Sequence, residues 1–178
     1  VNNNGNGVNA GHTRVYDLIG GAWVQVGADI DGEASGDMSG NSVSLSADGT
    51  RLAIGAPHNT GNGSFAGHVR VFQESGGVWI QLALDIDAEA AGDEGGGQVA
   101  LSPDGNVLAS GAPKNDGNGL DAGHVRVYDI SLATTLLEQA VIETFSVMPI
   151  PASDVFYIEA PQPSELHLFN MAGQQVLT

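Results

Sequence analysis

The sequence predicts an all-β chain assembled from small antiparallel sheets, and three observations predict it. The first is an internal repeat. NNNGNGVNAGHTRVY begins at Asn2, HNTGNGSFAGHVRVF at His58 and KNDGNGLDAGHVRVY at Lys114, so the offsets are 58 − 2 = 56 and 114 − 58 = 56. The second is alternation of apolar and polar residues with the period of a half-buried strand. The third is a set of Gly-containing turn signals at the same place in each copy.

Within one copy the elements follow in order. Residues 41–46 read NSVSLS, with Val43 and Leu45 on one face and serines on the other. Asp48-Gly49 is a tight hairpin signal, because Gly accepts the positive φ that such turns require. Residues 51–56 form the partner strand, which ends at Pro57 because proline has no N–H for the ladder. A Gly/Asn-rich loop, 59–67, leads to a strand at 68–73. Gly76-Gly77 is a second hairpin signal, and 79–84 completes a four-stranded meander. The preceding copy supplies strands at 12–17 and 23–28, and the following copy strands at 97–102, 107–112 and 124–130. Trp23 recurs as Trp79, but the next position, 79 + 56 = 135, is Thr135, so the repeat runs out near Ile130.

Four strands in one such period fit one blade of a β-propeller. A β-solenoid is the alternative, but its coils are usually shorter and lack two hairpin turns per repeat. The expectation is therefore an incomplete propeller of about two and a quarter blades over residues 1–130, since closed propellers have about 4–8 blades. The chain starts at Val1 with no signal segment and reads as a fragment or a processed product. Further blades are expected upstream, with an N-terminal strand of the full protein completing the last one. Blade faces and sheet edges left without partners are an aggregation liability.

Composition narrows the function classes. The chain has 178 residues, 21 acidic against 5 Lys and Arg, and a formal net charge of −16. Nucleic acid and anionic membrane surfaces call for basic patches, so both are disfavoured as partners. With no Cys, disulfides, thiolate catalysis and Cys-based metal sites are excluded. No apolar run approaches the roughly 18 residues of a membrane helix, so no membrane insertion is expected.

The repeat resembles the FG-GAP repeat of integrin-like propellers, whose pattern is FGxSV…DGxxDLVVGAP…GxVYVY. Here it stands as SGNSVSLSADGTRLAIGAP from Ser39 with GHVRVF from Gly67, and as GGGQVALSPDGNVLASGAP from Gly95 with GHVRVY from Gly123. The resemblance covers about residues 1–130 and implies a fold rather than an activity. After a linker at 131–146, residues 147–178 resemble the C-terminal sorting domain of type IX secretion cargo of Bacteroidetes. The matching residues are Pro149, Pro151, Ala152, Ser153, Asp154, Phe156, Ile158, Leu168, Phe169, Asn170, Gly173 and Val176, while Met148 and Ile150 depart from the family's Tyr and Asn. Strands are expected at 156–160, 165–171 and 174–178. The resemblance implies a small β-sandwich recognised by the outer-membrane translocon, hence a secreted or cell-surface protein. The family's last strands and basic tail are missing, so the sorting domain is expected to be truncated.

Candidate chemistry lies in three repeated sets. Asp29, Asp31, Glu33 and Asp37 recur as Asp85, Asp87, Glu89 and Asp93. Alternating oxygen ligands beside a Gly suit a hard cation such as Ca²⁺. The DxDxDG spacing of calcium-binding FG-GAP loops is absent, however, and only the short turns from Ser46 to Gly49 and Ser102 to Gly105 stand there. The competing reading is a solvated connection in which one Asp pairs with an Arg of the next strand. The loops 59–67 and 115–123 could offer carbonyls and amides to a cation or a sugar, or simply use Asn and Gly for left-handed backbone. His12, His68 and His124, with Arg14, Arg70 and Arg126, share one strand face in each copy. One such residue per blade makes no local metal cluster. The structural reading has His bonding a turn and Arg pairing with a buried carboxylate such as Asp37 or Asp93. Trp23 and Trp79 are expected to pack between blades.

No Ser–His–Asp elbow, HExxH or phosphate-binding loop appears. GNGxxAG lies between strands rather than opening a helix, which argues against a dinucleotide site. The expectation is a non-catalytic adhesion or recognition module with an extracellular protein or glycan ligand. The alternatives are an accessory part of a secreted hydrolase whose catalytic residues lie elsewhere, and a rigid spacer.

Overall fold

The computed structural model describes residues 3–133, 168–169 and 175–177. Contacts divide the chain into two units, Val1–Val141 and Ile142–Thr178. Every regular element among the described residues is a β-strand, and all named strands pair antiparallel.

The middle copy forms one four-stranded sheet in sequential order: β5 (Ser42–Leu45), β6 (Arg51–Ala56), β7 (His68–Ser75) and β8 (Val78–Asp87). The β6 bounds are those the sequence predicts, and β7 and β8 run longer. The β7–β8 hairpin is a two-residue turn at Gly76 (φ 60) and Gly77 (φ 85), left-handed at both positions as its twist requires. The Asp48-Gly49 turn is wider than a tight hairpin. Ser46 and Arg51 close it through a 2.8 Å bond from Ser46 N to Arg51 O. In addition, Asp48 accepts from the Ser46 hydroxyl at 2.6 Å and the Thr50 N–H at 3.0 Å. The acidic side chain, more than the glycine, shapes that turn.

The preceding copy is more broken than the sequence suggests. Its two expected strands become β1 (His12–Thr13), β2 (Tyr16–Ile19), β3 (Ala22–Gln25) and β4 (Ile30–Asp31). The break lies where the middle sheet carries a bulge. There Val71 pairs with Leu82 while Val69 pairs with Ile86, so two steps on β7 span four on β8, with Ala83 left-handed at φ 52. Gly27 (φ 73) holds the equivalent position in the first copy. The third copy contributes three strands in order: β9 (Gln98–Leu101), β10 (Val107–Ala112) and β11 (His124–Asp129).

The middle sheet is covered on both faces, which explains why β6 and β7 are nearly all buried rather than alternating. On one face Leu52, Ile54 and Phe72 pack with Ile30, Val15 and Trp79; on the other Ala53, Val69, Val71 and Leu82 pack with Leu108 and Ile130. These two interfaces are the same interface one period apart: Val15 becomes Val71, and Leu52 becomes Leu108. Polar seams accompany them. The Ser44 hydroxyl accepts from Leu101 N at 2.9 Å, and Arg51 donates to Gly105 O and Asn106 Oδ1, both at 3.0 Å. A Cβ on Gly55 would collide with the Gly96 carbonyl and the Ser42 hydroxyl, so the contact between the middle and third copies demands glycine at this position.

In the second unit, β12 (Leu168–Phe169) pairs with β13 (Gln175–Leu177). The expected strand at 156–160, and Pro149, Pro151, Ala152, Ser153, Asp154 and Gly173, lie outside the described residues.

Candidate functional site

The repeated carboxylates divide between two tasks. Asp37 is 1 % exposed, and its Oδ2 accepts from Ala34 N at 2.9 Å and from Asn59 Nδ2 at 3.1 Å. Asp93 repeats this with Ala90 N at 3.1 Å and Asn115 Nδ2 at 2.9 Å. Each Asn in turn holds its own loop, through Gly61 N on Asn59 Oδ1 and Gly117 N on Asn115 Oδ1. Asp37 and Asp93 are thus the buried staples of the Asn/Gly loops. They do not join Asp29, Asp31 and Glu33, or Asp85, Asp87 and Glu89, in one cation cluster, which corrects the expectation of a single ligand string. Left-handed backbone in loop 59–67 falls on Gly63, Phe65 and Gly67, while Asn59 serves by its side chain.

The arginines also choose partners other than the expected Asp37 and Asp93. Arg14 grips Asp29 through two bonds of 2.7 and 2.5 Å. This guanidinium, with the Gln25 amide, brings the Asp29 carboxyl down to about 2. Arg70 donates to the Asp31 carbonyl at 2.6 Å and lies 3.8 Å from Glu33. Arg126 bonds Glu89. The reason is direction. Arg70 and Arg126 reach the copy before them, at Asp31 and Glu33 and at Glu89, whereas Arg14 pairs with Asp29 of its own copy; Asp37 and Asp93 are already engaged by their loops.

The same geometry brings histidine to carboxylates. His68, 1 % exposed at the start of β7, places Nδ1 3.4 Å from Asp85 Oδ2 and 3.9 Å from Glu33 Oε2. That nitrogen has no aligned hydrogen-bond partner among the described residues. Proximity to His68, against the opposing cost of burial and with help from the Gln81 amide, holds the Asp85 carboxyl below the ordinary carboxylate value. Glu33, His68 and Asp85 can present ligand atoms within 4.8 Å of one another, as can His12, Asp29 and Asp31. His68 therefore enters a local cluster because the preceding copy supplies Glu33, whereas His12 meets Asp29 and Asp31 of its own copy. The available signal was the common spacing 68 − 33 = 35 and 124 − 89 = 35.

Trp79 packs in the inter-sheet core and donates from Nε1 to Val26 O at 3.2 Å. Trp23 does not do the same: it is 70 % exposed, because no sheet among the described residues covers its face.

The chain matches no family model and no curated protein. No helix among the described residues is long and apolar enough to cross a membrane.

Proposed function

We propose that the chain is part of a β-propeller that serves as a non-catalytic adhesion or recognition module of a secreted or cell-surface protein, exported through type IX secretion. The observation that carries the propeller reading is the repeated interface. A four-stranded sheet is buried on both faces by sheets of the adjacent copies, through equivalent residues one period apart. Sheets stacked face to face with their first strands, β5 and β9, adjacent is the arrangement of blades around an axis. The export reading rests on the PxPASD and LFNxxGQxV residues, and the antiparallel pairing of Leu168–Phe169 with Gln175–Leu177 is compatible with it. Recognition is favoured over catalysis because the sequence offers repeated polar loops and no nucleophile–base motif. The sorting machinery and an extracellular glycan or protein are then the partners.

Two measurements test this. Residues 131–178, completed with the last strands and basic tail of a type IX sorting domain and fused behind a periplasmic reporter in a bacterium with type IX secretion, should bring the reporter to the cell surface or medium. Retention in the periplasm would remove the export reading. The full chain on arrays of extracellular glycans and matrix proteins should show a saturable ligand, and a blank array would leave the spacer role in its place.

A further inference from the structure

We propose that Glu33, His68 and Asp85 form a transition-metal site of the Zn²⁺ class that clasps two successive copies together. The buried, unpartnered Nδ1 of His68 lies within 3.9 Å of an oxygen of each carboxylate, and neither of those oxygens accepts a hydrogen bond among the described residues. Tetrahedral zinc with bonds of about 2.0–2.2 Å keeps neighbouring ligand atoms about 3.3–3.6 Å apart. The 3.4 Å separation from Asp85 already fits, and Glu33, 3.9 Å from His68 with all three ligand atoms within 4.8 Å of one another, closes by movement of a side chain that is 43 % exposed. An imidazole nitrogen among the donors favours a zinc-like ion over Ca²⁺, which takes 6–8 oxygens.

The surroundings suit the task. Gln81 Nε2 holds the other oxygen of Asp85 at 2.7 Å, and Arg70 lies 3.8 Å from the other oxygen of Glu33. Such outer partners orient ligands and set their basicity. Two carboxylates and one guanidinium leave one net negative charge for a divalent cation to meet. The exposed side at Glu33 leaves a fourth position for water.

The third copy lacks a complete set, and the first has one whose Asp29 is held elsewhere. His124 lies 3.9 Å from Glu89, but the counterpart of Asp85, at 85 + 56 = 141, is Val141. At His12, Asp29 is already committed to Arg14 by two bonds. The site lies wholly within the described residues, on β7, β8 and the bend after β4, and does not depend on the propeller reading.

The test is a titration of the full chain, stripped with a chelator, with Zn²⁺ by calorimetry and with Co²⁺ by visible absorption. One Zn²⁺ per chain is expected, with the strong visible bands of tetrahedral Co²⁺ and a rise in melting temperature, since the ion binds only the folded chain. Glu33→Gln and Asp85→Asn keep side-chain shape. Each should weaken Zn²⁺ binding by at least about tenfold with the far-ultraviolet spectrum unchanged, while His58→Ala leaves binding as it was. Absence of saturable uptake, uptake indifferent to both ligand variants, or a His68 ring protonated at both nitrogens in the presence of saturating Zn²⁺ would overturn the proposal.

Discussion

Asp37 sits at the centre of a small polar network with no water-facing route for its charge, and the residue-scale predictions start there. Asp37→Ala removes the acceptor of the half-buried Ala34 N–H and strands the buried Asn59 amide. Loss of charged hydrogen bonds of this kind costs about 2–3 kcal/mol. The urea midpoint of the full chain should fall accordingly, and a shift equivalent to less than about 0.5 kcal/mol, the range of an ordinary surface change, would contradict the staple role. The turn aspartates set an acid limit. Asp48 is held below its ordinary 3.8 chiefly by the Ser46 hydroxyl, and Asp104 likewise by Ser102. A carboxyl whose folded value is lowered contributes stability that is complete above the unfolded value and is lost as pH falls through the folded one. Stability should therefore decline below pH 3.8, the unperturbed value. The Asp48→Asn/Asp104→Asn double variant should decline less steeply over that window in urea titrations; identical slopes would count against these turns.

At the scale of the elements, the contact of β6 with the following copy depends on one missing methyl group. Gly55→Ala drives a Cβ into the Gly96 carbonyl, which belongs to backbone and cannot swing aside. Overpacking of this kind costs about 1–3 kcal/mol, and thermal melting should show it. A variant as stable as the parent would mean that the copies sit further apart than described. The strands themselves were largely legible. Val43/Leu45 alternation, Pro57 and the Gly76-Gly77 turn each act locally, so they locate β5, the end of β6 and the β7–β8 hairpin without reference to neighbours. The breaks at Arg14 and Gly27 were not legible. The equivalent positions give a continuous β7 and a bulged β8 in the middle copy, where sheets on both faces cover the ladder.

For the molecule as a whole, the stacking makes identical residues unequal. Val71 is 4 % exposed and Val127, its repeat partner, 67 %. Val71→Ala should cost about 1–2 kcal/mol through lost burial and a residual cavity, whereas Val127→Ala should stay within about 0.5 kcal/mol. Equal penalties in chemical denaturation would remove the asymmetry from which the stacking is argued. Leu108, fully buried between the middle and third sheets, should lose about 2–5 kcal/mol as Leu108→Ala.

What the sequence determined alone is what depends on residues close along the chain: strand content, hairpin turns, the 56-residue unit beginning at Asn2 and His58, and the acidic charge. Tertiary structure decided which carboxylate meets which base. Glu33 reaches His68 and Arg70 only because two copies lie face to face, and Asp37 is withdrawn from them only because Asn59 folds over it. A repeat fixes how many times a group occurs, but the separation between groups on different copies follows from the packing of the sheets that carry them.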